Sequence, residues 1–249
     1  SLFTGFLIGM GAGVNVRVAH GLGAGNQKET EETIHSSFLI CLVTGLIICA
    51  VGLTSSRAFL ALLHTKDELM EGAVNYLQIY SLGMPAMGLY NFGNGVMSAR
   101  GDTKRPLVYL LIAGVLNVIM NLIFVIGFHM AAEGVAIASV MAQYTSAGLV
   151  LHHLWRRRDV CRLQLRKVRF HRMAGKAVLM LGIPGGLQQA IFAIANLFVQ
   201  AGVNSFDAVT VSGNAAAANT DPLVYNSMFA FYTACASFMS RNLGAGKKE

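Results

Sequence analysis

One carboxylate in this chain lies where it could bind a cation or relay a proton. Asp221, followed by Pro222, falls inside the apolar stretch from Val211 to Ser240 and is the only acid well inside such a stretch. A charge in hydrocarbon is expensive, so an acid there is expected to face a bundle interior and to handle ions. Proline lacks an amide hydrogen, so Asp221-Pro222 predicts a helix break with freed carbonyls beside the carboxylate. Two plainer readings stay open. Asp221 could be a structural acid bonded to Asn219 or Tyr225, or the helix could start late and leave it near the surface. Uncharged polar residues form a second group. Asn117 and Asn121 are one helical turn apart, and Gln188, Gln189, Asn196 and Gln200 crowd another apolar run. Each could serve as a hydrogen bond between helices, worth about 0.6 kcal/mol on average. Four in one run tilt that helix towards lining a cavity, and Tyr225 is a further candidate for the lining.

Other chemistries leave no trace. No His-Glu-x-x-His, Gly-x-Ser-x-Gly or Walker A pattern occurs. His152, His153 and His171 lie in or beside a basic loop without an acidic cluster. Cys41, Cys49, Cys161 and Cys235 have neither metal-site nor disulfide-framework spacing and read as free thiols. Neither an enzyme nor a metal or cofactor site is expected. Gly9-Met10-Gly11-Ala12-Gly13 has the look of a dinucleotide loop, but no strand precedes it.

The elements that would position the polar residues are membrane helices. Hydrophobic residues make up 54% and charged residues 12% of the chain, about half the charge of a soluble domain. Seven spans are expected: 2–19, 33–54, 72–99 kinked at Pro85, 108–128, 134–154, 176–204 and 211–240. Residues 57–71 alternate apolar and charged positions and read as an interfacial segment. Gly5, Gly9 and Gly13 recur every four residues, a face for close helix packing.

Charge sets the orientation. Loops 17–32, 100–106, 156–172 and 241–249 are richer in Lys and Arg than the loops between them, or at least equal in the first case. The positive-inside rule places them in the cytoplasm. Loop 156–172 carries eight basic residues with only Trp155 and Phe170 near, a pattern for anionic lipid rather than nucleic acid. It divides the chain into 1–155 with five spans, the linker 156–175, and 176–249 with two spans. Leu22-Gly23-Ala24-Gly25 returns 221 positions later as Leu243-Gly244-Ala245-Gly246, each closing an apolar run. An echo in the same topological place suggests duplicated halves, as in secondary transporters.

Further stretches line up: Ser98-Ala99-Arg100-Gly101-Asp102-Thr103-Lys104-Arg105-Pro106, Asn117-Val118-Ile119-Met120-Asn121, Gly134 to Gln143, Pro184-Gly185-Gly186-Leu187-Gln188-Gln189, Val203-Asn204-Ser205-Phe206, Gly213-Asn214-Ala215-Ala216-Ala217 and Arg241-Asn242-Leu243-Gly244-Ala245-Gly246. With these the chain resembles bacterial multidrug and toxic compound extrusion (MATE) transporters over nearly its whole length. The resemblance implies an all-α, polytopic protein of the inner membrane with two pseudo-symmetric six-helix lobes. This chain would run from the family's second helix to its eighth. It implies a monomer that exports organic cations or other amphipathic compounds in exchange for protons or sodium by alternating access. Asn121 stands where many bacterial members carry Asp; an amide takes up no proton but can still ligate a cation. Residues 176–204 lack the Glu used by one branch, and Asp221 matches an acidic position of a related group. The resemblance thus implies Asp221 and Asn121 as ion-coupling residues, and Gln188, Gln189, Asn196, Gln200, Tyr225 and Asn117 as cavity residues. A lipid-linked precursor flippase of the same superfamily, or a non-transporting membrane scaffold, are the alternatives. Little Lys or Arg lies inside the spans to hold a phosphate.

Overall fold

The computed structural model describes residues 2–62, 67–203 and 208–247. Eight α-helices occur among them: α1 Leu2–Gly23, α2 Gln27–Leu62, α3 Asp67–Ser81, α4 Met84–Ala99, α5 Lys104–Leu122, α6 Ala132–Arg156, α7 Arg172–Val203 and α8 Ala208–Gly244. A π-helical turn, Ile123–Gly127, extends α5, and a short 3₁₀ turn, Leu165–Lys167, interrupts the basic linker. No strand occurs among the described residues. The chain is a polytopic helical membrane protein. Gln27–Ala61, Lys104–Gly127, Ala132–Arg156 and Arg172–Asn196 are long and apolar enough to cross a bilayer. On α5, Leu107, Leu111, Val115, Val118 and Leu122 are exposed, an outward apolar stripe that lipid can cover.

The glycine spacing in α1 makes it the hub. α1 packs against α2, α4, α7 and α8. A Cβ at Gly13 would lie 2.6 Å from the Gly182 nitrogen of α7, and one at Gly9 would overlap the Gly185–Gly186 backbone. The expected small-residue face therefore exists, and three glycines of α7 answer it. Backbones that approach this closely gain dispersion and weak polar contacts that side chains would prevent. The core beneath comprises Met10, Val14, Val18, Ile34, Phe92 and Val96, all at most 1% exposed.

The described parts of the amphipathic segment 57–71 belong to two helices: α2 continues to Leu62 and α3 begins at Asp67, while residues 63–66 lie outside the described part. The expected span 72–99 is not one kinked helix. It is interrupted at Leu82-Gly83, and Pro85 sits in the first turn of α4, where its missing hydrogen costs nothing. The break is tolerated because α6 satisfies it: the Tyr144 hydroxyl donates to the Leu82 carbonyl at 3.0 Å.

The basic linker is strapped down. His35, buried in α2, binds the Glu31 carbonyl through Nδ1 at 2.7 Å and accepts the Gln164 amide through Nε2 at 3.2 Å. The His171 amide donates to Ser36 Oγ at 2.9 Å, and Lys167 pairs with Glu31 at 2.9 Å. Cys161 and Leu163 of the linker itself are buried. The expectation of a loop that sets topology and touches anionic lipid did not include these pins, because His35 and Ser36 sit in an apolar run and gave no sign of a distant partner.

Candidate functional site

The site begins at the echo. Each Leu-Gly-Ala-Gly stretch ends its helix in the same way. Gly25 and Gly246 adopt φ of +65° and +74°, a left-handed conformation that only glycine enters without strain. After α1, the Asn26 amide donates to the Gly21 carbonyl at 3.2 Å and the Gly25 amide to Leu22 at 3.3 Å. After α8, Lys247 donates to Asn242 at 3.0 Å and Gly246 to Leu243 at 3.1 Å. Both are Schellman caps, bond for bond. The two caps also pack on each other reciprocally. A Cβ on Gly23 would strike the Arg241 carbonyl, and a Cβ on Gly244 would strike the His20 carbonyl. Gly23 and Gly244 are equivalent in the repeat, as are His20 and Arg241, so the contact is locally two-fold. One turn back along α8, Ser240 Oγ donates to the Val16 carbonyl at 2.7 Å.

From this contact a stripe climbs α8. Thr233, Phe229, Tyr225 and Asp221 are spaced by four and share one face. Tyr225 stacks on Phe229, with ring centroids 6.3 Å apart. Its hydroxyl meets the Gln189 amide of α7, with Nε2 donating at 3.2 Å. Two expected cavity residues are thus joined across α7 and α8. Asp221 lies one turn above, exposed, and has no hydrogen bond or ion pair among the described residues. Tyr225 is committed to Gln189, so the reading of Asp221 as an acid tied to Tyr225 does not hold; the Asn219 side chain lies outside the described residues. The expected helix break at Asp221-Pro222 is absent: α8 runs through both positions. Proline still leaves the Ala218 carbonyl without its donor, so the backbone need not open to free an acceptor.

The remaining expected residues fall elsewhere. Gln188 and Asn196 are exposed on α7 without a described partner. The Gln200 side chain lies outside the described residues. Asn117 and Asn121 form a separate group on α5 and α6. Asn121 donates to Asn117 Oδ1 at 3.1 Å, and Asn117 to Ser139 Oγ at 3.5 Å. The Asn121 Oδ1 atom is buried without a donor. Among the described residues no hydrogen bond joins this group to Gln189 and Tyr225.

Sequence reasoning passed over Asn15, Asn91, Asn94 and Ser98, which meet Phe229 and Thr233 around a cavity of about 50 Å³ between α1, α4 and α8. Asn15 falls inside the expected span 2–19, where it was not singled out. The available signal was the spacing of Asn91, Asn94 and Ser98 along one face of α4.

A family model described as MatE matches residues 1–123. The chain belongs to this family. The probable multidrug resistance protein YpnP of Bacillus subtilis is 31% identical over 212 residues, covering 84% of this chain and 47% of its own length. The chain spans about half the length of the curated relatives it matches. The outward-facing conformation of a multidrug resistance MATE transporter of the MOP superfamily superposes with a TM-score of 0.90 at 21% identity, over 99% of this chain and 55% of that one. An inward-facing MATE structure gives 0.77 at 18% identity, over 96% and 59%. The fold is that of MATE transporters.

Proposed function

We propose that the whole protein is a secondary antiporter that exports organic cations or other amphipathic compounds in exchange for protons or sodium. The observation that carries this reading is the seam along α8: a closed, two-fold contact at one end and a lone carboxylate further up. The family and the relative named for multidrug resistance support it. The better agreement with the outward-facing structure fits a seam whose Schellman-cap end is closed and, by the positive-inside rule, cytoplasmic.

In this mechanism Asp221 carries the coupling ion or the cationic substrate, one at a time. Either partner neutralises the carboxylate, and a bare charge is held back from the conversion because moving it through an apolar seam is expensive. Gln189 and Tyr225 orient polar groups of the substrate beside it, with Gln188, Asn196 and Gln200 further along α7. Asn117 and Asn121 supply oxygens for a cation in the amino-terminal lobe but no titratable group. Conversion separates the α1 and α8 caps and closes the opposite face, and Gly23 and Gly244 keep that contact free of side chains.

Ethidium movement in everted vesicles bearing the full-length protein tests this under an imposed proton or sodium gradient. Gradient-driven uptake that Asp221→Asn abolishes is expected. Uptake and ion dependence unchanged in Asp221→Asn would refute the assigned mechanism.

A further inference from the structure

The turn between α4 and α5, together with the end of α6, builds a basic pocket of about 500 Å³. Arg100, Asp102, Lys104 and Arg105 line it from the turn, and Arg157 lines it from the start of the linker. Two carboxylates stand against these four cations. Asp102 accepts Arg105 Nη1 at 2.7 Å and the Arg105 amide at 3.5 Å. Asp159 accepts the Cys161 amide at 3.0 Å, Arg157 Nε at 3.2 Å and Arg100 Nη1. Both acids are thus occupied from within, and two positive charges are left over. Lys104 has no hydrogen bond or ion pair among the described residues. The Arg157 side chain is only 11% exposed, and its Nη1, which carries two hydrogens, is buried without an acceptor. A charged donor is costlier to bury unpaired than a neutral one. Cations with spare N–H groups around one opening suit a phosphate, which guanidinium groups grip through paired hydrogen bonds.

A second hollow indicates what that phosphate is attached to. It lies on α5, measures about 510 Å³ and is lined by apolar residues alone, from Leu107 to Ile119. Lys104, Leu107, Leu111, Val115 and Val118 share one face of the helix, so the charged pocket runs into the apolar groove. Gly114 leaves a notch there: a Cβ on it would meet nothing within 4 Å. A soluble phosphate compound would fill the pocket and leave the groove. A phospholipid uses both, with its headgroup among the cations and an acyl chain against α5. The positive-inside rule places this end of α5 in the cytoplasm, where the membrane surface is negative because its lipids are anionic. A zwitterionic lipid would bring a second cationic group to a pocket already in excess of positive charge.

We propose that this pocket holds the phosphate of an anionic phospholipid of the cytoplasmic leaflet, with an acyl chain of the same lipid lying along α5. Arg157 Nη1 and Lys104 Nζ supply the free donors, and Arg100 and Arg105 add charge from positions that Asp159 and Asp102 hold in place. The site is more local than a contact between the whole basic linker and the membrane. Arg157 is the one linker cation that lines it, and Arg166, exposed on the 3₁₀ turn, does not. It makes no use of Asp221, Gln189 or Tyr225.

The test titrates the purified full-length protein in detergent micelles with dioleoylphosphatidylglycerol, dioleoylphosphatidylcholine or inorganic phosphate. Bound lipid is read by native mass spectrometry and by thermal unfolding. Phosphatidylglycerol is expected to bind and to raise the melting temperature, and phosphatidylcholine to bind more weakly. Lys104→Gln and Arg157→Gln should each weaken phosphatidylglycerol about fivefold, the worth of one basic residue at an anionic surface. Lys104 has no partner to lose, so its variant decides the matter should Arg157→Gln fail to fold. Arg166→Gln removes the same charge outside the pocket and should leave binding unchanged. Leu111→Asn should weaken the lipid by spoiling the groove. An equal loss in Arg166→Gln and Lys104→Gln would overturn the proposal, because general charge attraction would then account for binding. Equal affinity for the two lipids would overturn it too. So would a melting shift that inorganic phosphate reproduces and Leu111→Asn leaves intact, which would make the ligand a soluble phosphate. Binding is read on purified protein and stands apart from drug export: a failed ethidium assay leaves this result untouched.

Discussion

The two Leu-Gly-Ala-Gly corners share a backbone and differ in what holds them. At the first, Asn26 does two things. Its amide closes the Schellman cap of α1, and its side chain starts α2: the Glu29 amide donates to Asn26 Oδ1 at 3.1 Å, and Asn26 Nδ2 donates to Glu29 at 3.1 Å. The first bond is a helix N-cap, and the second ties the two side chains together. Glu29 also pairs with Arg17 of α1, which reaches His20. The second corner continues into Lys247 and has no such side-chain network among the described residues. Its hold on the molecule is the cap itself, the Ser240 bond to Val16 and the reciprocal glycine contact. The Asn26 side chain thus ties the first corner to the helix that follows it, a tie that Lys247 at the equivalent position cannot make because its ammonium accepts no hydrogen bond. A seam built this way can part without unravelling the first corner, which is what a reversible contact between lobes requires.

The largest effect should come from the shared contact. Gly23→Leu and Gly244→Leu each place a side chain into the opposing backbone, and overpacking of this sort costs about 1–3 kcal/mol in a closed state. Both should lose most transport under the proposed function. Cysteines placed on α1 and α8 beside the caps should cross-link less in either variant than in the parent. Equal cross-linking would show that the caps are not the contact that holds this end shut.

Next come the caps. Gly25→Ala and Gly246→Ala each force a left-handed residue with a Cβ, at about 1–2 kcal/mol. The two should lower the melting temperature of the full-length protein, Gly25→Ala the more clearly, since it also disturbs the start of α2. Asn26→Ala sharpens the contrast further. It removes a helix cap worth about 1 kcal/mol and should destabilise the first corner, whereas Lys247→Ala should do nothing measurable. A matching loss from Lys247→Ala would mean the second corner has an anchor of its own.

The smallest effect probes the support behind the first corner. The linker strapped to α2 buries Cys161, and burial, reinforced by the Asp159 carboxylate, pushes its thiol pKa up. The thiolate is the reactive form, so alkylation at neutral pH should be slow and should quicken as pH rises. Ser36→Ala removes one pin, the acceptor for the His171 amide, and should speed the labelling modestly.

Much of this was legible without coordinates. The apolar runs gave the helices, because a membrane demands that backbone bonds be closed locally. The four-residue glycine spacing in α1 gave its packing face, and the repeated Leu-Gly-Ala-Gly gave the pair of matching caps. Breaks were less legible. Pro85 and Pro222 look alike on paper, yet a helix break stands just before one and a continuous helix runs through the other. The difference lies in neighbours: Tyr144 of α6 takes the carbonyl freed near Pro85. Hydropathy by itself says nothing of such partners.

The sequence by itself determined the class of molecule, its helices and the residue types along them, since these follow from local periodicity and from the cost of charge in lipid. Only the tertiary structure decided which polar residues meet. Gln189 finds Tyr225, Asn117 finds Asn121 and Ser139, and Asn15 is left with a bare oxygen beside α4 and α8. Helix periodicity fixes the face on which a side chain stands but not the helix that face will touch. That choice is made by the close approach of backbones at Gly9, Gly13, Gly23 and Gly244, through contacts far apart in the chain.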